Sequence, residues 1–93
     1  MPKKVDKNQR DIVKALRQIG CSVEPRLSQL GEGVPDLLVG KAGMSILLEV
    51  KGDNGELTEC EKKWRDNWHG SYAIVRTPEE AIKAIEDYIS LNR

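Results

Sequence analysis

The chain has 93 residues, and its 15 basic and 15 acidic side chains balance to a formal net charge of zero. Charged residues make up 32% and hydrophobic residues 39%, the balance of one soluble globular domain, residues 1–93, with a single modest core. No apolar run approaches the ~20 residues of a membrane helix, the N-terminal MPKKVDKNQR lacks the apolar stretch of a secretory signal, and a neutral chain is not a lysine-coated, non-specific polyanion binder.

The first predicted element is a helix over DKNQRDIVKALRQIG. Ile12, Val13, Leu16 and Ile19 fall on one face, Asp6 with Gln9 fits a capping box, and Gly20 is a natural stop. CSVEP reads as a short strand and RLSQLGEGVP as a loop rich in glycine and proline. DLLVG and MSILLEV read as adjacent strands joined at KAG, and GDNGE as a further loop. LTECEKKWRDNWHG reads as a helix with Thr58 and Glu61 as capping box and Leu57, Cys60, Trp64 and Trp68 as an apolar stripe. SYAIV is another strand. TPEEAIKAIEDYISL is the clearest helix: Thr77 caps it, Pro78 takes its first position, Glu80 completes the box, and Ala81, Ile82, Ile85, Tyr88 and Ile89 form its inner face. The order is α-β-β-β-α-β-α, and the last two strands, linked through a helix, are expected to be parallel neighbours. The fold class is α/β, a small mixed sheet flanked by helices.

The two central strands carry an anomaly. They are apolar, yet Asp36, Glu49 and Lys51 sit at their ends. In an antiparallel hairpin with Gly40 facing Ser45, Asp36 faces Glu49. Opposed residues share a face with Cβ atoms roughly 5 Å apart, and Lys51, two residues on, points the same way. A slip of one residue would separate the two acids. Two carboxylates this close either share a proton or bind a cation. Hard divalent cations take oxygen ligands, and magnesium commonly uses one or two carboxylates with phosphate and water. A lysine beside such a site suits phosphodiester hydrolysis. A salt bridge at the strand ends is the plainer alternative, but a charge after the apolar SILL is costly unless it is used.

GVPDLLVG, LEVKG and LTECEKKW resemble the PD-(D/E)xK nuclease superfamily and, within it, the VRR-NUC branch in its short stand-alone form from bacterial viruses and bacteria. The resemblance runs from the first helix through AIVRTPEEAI. It implies a restriction-endonuclease-like core, with Asp36, Glu49 and the Val50 carbonyl as ligands of Mg2+ or Mn2+ and Lys51 as the catalytic lysine. Glu61 stands where the family usually carries a glutamine near the site; a capping role with Thr58 accounts for it equally well. Many members also have a glutamate early in the first helix. That position aligns near Val5, with Asp6 and Gln9 as the nearest polar candidates, a departure from the pattern. The implied activity is a structure-selective DNA endonuclease acting as a homodimer on branched DNA, most specifically a Holliday-junction resolvase, in the cytoplasm. A single-cut nicking or flap nuclease and a non-catalytic DNA-binding module are the alternatives.

Four further readings complete the expectations. Cys21 and Cys60 form neither a zinc site nor a disulfide framework and are expected as buried or half-buried thiols. His69 is expected to close a helix before Gly70, where the dipole favours a cation. Trp64 and Trp68 are expected to pack in the core or a dimer interface. Lys62, Lys63 and Arg65 form either a solvated face or a row of phosphate contacts.

Overall fold

Two residues set the central hairpin. In the computed structural model, which describes residues 4–92 and side chains from Lys7 onward, Ala42 and Gly43 both have positive φ, 54° and 78°. Left-handed conformation at both central positions gives the two-residue turn whose twist matches paired strands. The turn therefore spans only Ala42 and Gly43, and Lys41 of the expected KAG turn belongs to the strand. It joins β2 (Leu37–Lys41) to β3 (Met44–Val50) with Gly40 facing Ser45 and Leu37 facing Leu48. This is the predicted register.

Around the hairpin, β1 (Ser22–Glu24) pairs antiparallel with β2, and β4 (Tyr72–Val75) pairs parallel with β3, giving the sheet order β1-β2-β3-β4. The helices are α1 (Lys4–Gln18), α2 (Glu59–Asp66) and α3 (Pro78–Leu91). A short 3-10 turn at Leu27–Leu30 breaks the expected loop. Strand alternation sends Leu37, Val39, Ile46, Leu48, Val50 and Val75 to one face, where they form a single buried core with Ile12, Val13 and Leu16 of α1 and Ala81 and Ile85 of α3. The opposite face carries Leu38, Leu47, Glu49, Tyr72 and Ile74 by the same alternation.

Helix ends follow local chemistry. Gly20, at φ 91°, ends α1 in a Schellman arrangement, with Cys21 N–H on the Leu16 carbonyl and Gly20 N–H on that of Arg17. At its other end α1 begins at Lys4, so Asp6 lies inside the helix rather than capping it, and its side chain lies outside the described residues. Thr77 caps α3 as expected, with Pro78 at its start. Glu80 reaches one residue further back than a capping box requires and accepts from Arg76 N–H at 2.7 Å. The α2 helix is shorter than its sequence pattern and buries no residue. It ends at Asp66, so His69 lies beyond it, exposed, and does not close the helix.

Ala42 bears a Cβ in a conformation that favours asparagine or glycine. Ala42→Asn should stabilise the protein by about 0.5–1 kcal/mol, seen as a Tm rise of roughly 2–8 °C. An unchanged or lower Tm would mean that the turn carries no such strain.

Candidate active site

The hairpin register, extended one residue past Leu37 and Leu48, brings Asp36 opposite Glu49. Asp36 is fixed there by its own chain: Oδ2 accepts the Val50 N–H at 2.8 Å. Glu49 is the one buried charged residue among those described, 2% exposed, and its Oε1 has no hydrogen-bond partner. An unpartnered carboxylate oxygen in the interior is costly and calls for a proton or a cation. The opposing carboxylate makes an oxygen-only donor set that suits a hard divalent ion. Among the described residues no group of three or more His, Cys, Asp or Glu side chains is arranged to hold a metal, so the fit is to a two-carboxylate site.

Lys51 lies beside this pair. Its Nζ is 3.7 Å from Glu49 Oε2 and donates to Glu61 Oε1 at 2.6 Å. That same Glu61 oxygen also serves the start of α2. Oε1 also accepts the Thr58 N–H at 2.9 Å, and Thr58 Oγ1 accepts the Glu61 N–H at 3.2 Å. The capping box that starts α2 and the grip on Lys51 are a single network. Gly33 of the GVPD stretch holds α2 close from the other side. It has φ 81°, and a Cβ there would collide with the Cys60 carbonyl.

These contacts set the charges. Burial, then the charge of Asp36, push the Glu49 carboxyl up to about 9. Lys51 pulls the other way and is outweighed by burial and the neighbouring carboxylates. Burial works against the Lys51 ammonium, but the Glu61 hydrogen bond and the surrounding carboxylates outweigh it and raise its pKa. Burial likewise works against the Glu61 carboxylate, and the bonds from Lys51 and the Thr58 amide overcome it and hold its pKa low. Lys51 is thus an ammonium at neutral pH, suited to stabilising negative charge rather than to taking a proton.

Several contributors escaped the sequence reading. Tyr72 shares the face of Leu47 and Glu49, and burial followed by the Glu49 charge pushes its hydroxyl up to about 12. Asn8 on α1 ties the two parallel strand ends together, donating to the Lys51 and Arg76 carbonyls at 3.2 and 3.0 Å. Arg76 donates to the carbonyls of Gly52 and Gly55 and so pins the loop after Lys51. Among the described side chains of α1, Asn8 rather than Gln9 is the one at this end of β3, since Gln9 Nε2 is spent on the Pro25 carbonyl at 3.0 Å. The only sequence signal for Asn8 was its helical offset from the buried Ile12.

The tryptophans are not core residues, which leaves the dimer interface of the two expected settings. Trp64 and Trp68 stack on each other with centroids 5.1 Å apart, but Trp68 is 41% exposed and neither joins the core. Of the thiols, Cys21 is buried and Cys60 exposed, and both are free. Lys62 pairs with Glu59 and Arg65 with Asp66, on the exposed side of α2.

A solved structure described as "VRR_NUC domain" matches with a TM-score of 0.76, over 94% of this chain and 99% of that chain, at 22% sequence identity. The chain has the fold of a VRR_NUC domain. No family model matches the sequence, and no curated protein does. The VRR_NUC likeness thus lies in the fold, and at 22% identity the roles of Asp36, Glu49, Lys51 and Glu61 rest on their geometry in this chain.

The raised Glu49 pKa has a consequence for stability. Between the ordinary value of 4.5 and about 9 the folded state holds a proton that the unfolded state has released, so stability falls as pH rises through that window. The Tm of metal-free protein should decline across it, and Glu49→Gln should flatten the decline and raise Tm at its upper end by more than about 5 °C, the effect of ~1 kcal/mol in a domain of this size. A wild-type Tm that holds or rises over the same range would contradict the protonated carboxyl.

Proposed function

We propose that this protein is a divalent-metal-dependent, structure-selective DNA endonuclease, acting as a homodimer on branched DNA such as a four-way junction. The observation that carries the reading is the buried, unpartnered Glu49 Oε1 facing Asp36, with the Lys51 ammonium on the same side. Nuclease action is the chemistry that this constellation and the VRR_NUC fold jointly support.

Asp36 and Glu49, with the Val50 carbonyl, would hold Mg2+ or Mn2+. Such an ion, when bound, lowers the pKa of coordinated water and polarises phosphate oxygens. The chain's own groups do the rest. Lys51 presents a fixed positive charge to the phosphodiester as negative charge builds on it. Glu61 holds that ammonium in place while anchoring α2. Asn8 and Arg76 keep the strand ends and the following loop from drifting. Support for a dimer comes from the sheet face that carries Glu49, where Leu38 and Ile74 remain 38% exposed. Apolar side chains grouped on one face suit a protein partner, and symmetric incision of two strands needs two sites related by a two-fold axis.

Cleavage of four-way junction, flap and linear duplex, with and without Mg2+, beside a solution mass, tests the reading. Asp36→Asn or Glu49→Gln should lower cleavage on the order of 10³-fold, the scale of losing a principal charge-stabilising group, while the fold persists. Lys51→Ala should reduce turnover by roughly 10²-fold or more with little loss of DNA affinity. Lys51→Arg should rescue poorly, because a planar fork replaces a compact ammonium. Wild-type rates in both carboxylate variants, or cleavage undiminished by chelation, would refute the assignment. Paired incision by a monomer would refute the dimer.

A further inference from the structure

A groove of about 800 Å3 lies between α1 and the segment at Pro25, with Val13 at its base and Arg10, Lys14, Arg17 and Gln18 along it, and Gln9 beside Pro25; none of Asp36, Glu49 and Lys51 lines it. Three of its lining side chains are cations and none is acidic. In a chain of zero net charge this is a local concentration of one sign. Arg10, Lys14 and Arg17 are exposed and form no ion pair among the described residues. Lys7, the next cation toward the N-terminus, is by contrast bonded to Asp11 at 2.9 Å. Arg17 is held in the groove by a bond from Nη2 to the Val23 carbonyl at 3.2 Å, leaving its other N–H groups free to turn outward.

The spacing has a direction. At a rise of 1.5 Å per residue, Arg10 to Arg17 spans about 10 Å of helix. One strand of duplex DNA advances about 3.4 Å along its axis per phosphate, so a row laid along that axis spans about three phosphate steps. The groove also starts at the correct end of the molecule. Glu24 pairs with Leu38, so Pro25 comes level with Leu37, one residue from Asp36. Gln9 is bonded to that same Pro25, and Asn8 beside it is bonded to the Lys51 carbonyl. The row thus begins at the sheet end that holds the carboxylates and leads away from it.

We infer that Arg10, Lys14 and Arg17 form a track for the phosphate backbone of one arm of the nucleic-acid substrate as it leaves the active site. The occupant's identity rests on the nuclease reading, and the track deepens that reading by assigning a second, non-reacting foothold. Contacts of this kind position a duplex and carry no sequence information, which suits an enzyme that reads DNA shape.

Binding of a labelled duplex and of a four-way junction, measured against salt in the presence of a chelator, tests the track without requiring cleavage. The Arg10→Gln/Lys14→Gln double variant keeps the Arg17 bond and alters only exposed helix positions, and a circular dichroism melt verifies its fold. Its log K against log salt plot should be shallower by roughly 1.8, two lost phosphate contacts at ~0.9 each, with affinity at 0.1 M salt reduced at least about tenfold. Lys83→Gln removes a cation from α3, where Lys83 pairs with Asp87, and should leave the slope unchanged. An unaltered slope and affinity in the double variant would overturn the track even if the protein cuts DNA. An equal loss in Lys83→Gln would also overturn it, by showing a net-charge effect alone. A protein that fails to cut yet shows the predicted slope change would lose the nuclease reading and keep the track. Absence of DNA binding by the wild type would sink both.

Discussion

One carboxylate oxygen, sealed from water and bonded to nothing, is the constraint around which the rest of this structure is arranged. Glu49 cannot leave its place, because β3 is a central strand with partners on both sides. It cannot shed its cost, because the facing side chain is another carboxylate, itself fixed by the Val50 amide. A buried like-charge pair of this kind is a poor choice for stability, and hydrophobic residues of similar volume would serve the fold better. A proton on the pair, or a cation between its oxygens, relieves that cost. The neighbouring groups are consistent with that demand: Lys51 stays near enough to feel Glu49 but is held by Glu61, so the pair keeps an oxygen unclaimed.

The sheet supplies the rigidity and the helices supply the adjustment. α1 and α3 seal the core face with fully buried side chains, whereas α2 buries none. α2 is attached through directional contacts: the Thr58–Glu61 box, the Glu61–Lys51 bond, and the close approach of Gly33 to the Cys60 carbonyl. A helix held this way can shift with its ligand more cheaply than one locked into the core. The exposed Trp64–Trp68 stack rides on it. On the other side of the molecule α1 is both a core element and, through its outer cationic row, a surface that suits a polyanion. The active-site end of the sheet lies between these two helices, and Asn8 links α1 directly to it.

Much of this was legible in the sequence because it was local. MSILLEV is buried along most of its length and does not mark its own faces, so the short turn sets the register and the Asp36–Glu49 opposition follows from counting back from it. Thr58, Thr77 and Gly20 mark helix ends through bonds made within a few residues. The failures share an opposite cause. Asp6 looked like a cap because capping chemistry is recognisable without knowing where the helix begins. The apolar spacing of Leu57, Cys60, Trp64 and Trp68 reads as a stripe, but burial depends on what lies across from a helix, and α2 buries none of its residues, meeting the rest of the fold through Glu61 and the approach of Gly33. Asn8, Arg76 and Tyr72 act across sequence separations that no periodicity encodes, since Asn8 reaches 68 residues to the Arg76 carbonyl. Glu61 reads two ways because one of its oxygens accepts both from the Thr58 amide and from Lys51.

On the function proposed above, the Asp36–Glu49 pair holds a proton until a divalent cation replaces it. Calorimetric titration of the protein with Mn2+ near neutral pH, in two buffers of different ionisation enthalpy, measures this directly, because cation binding to a protonated site must release protons. The account predicts saturable binding with release of about one proton per ion and loss of that binding in Glu49→Gln. Binding without proton release, or equal binding by Glu49→Gln, would contradict it.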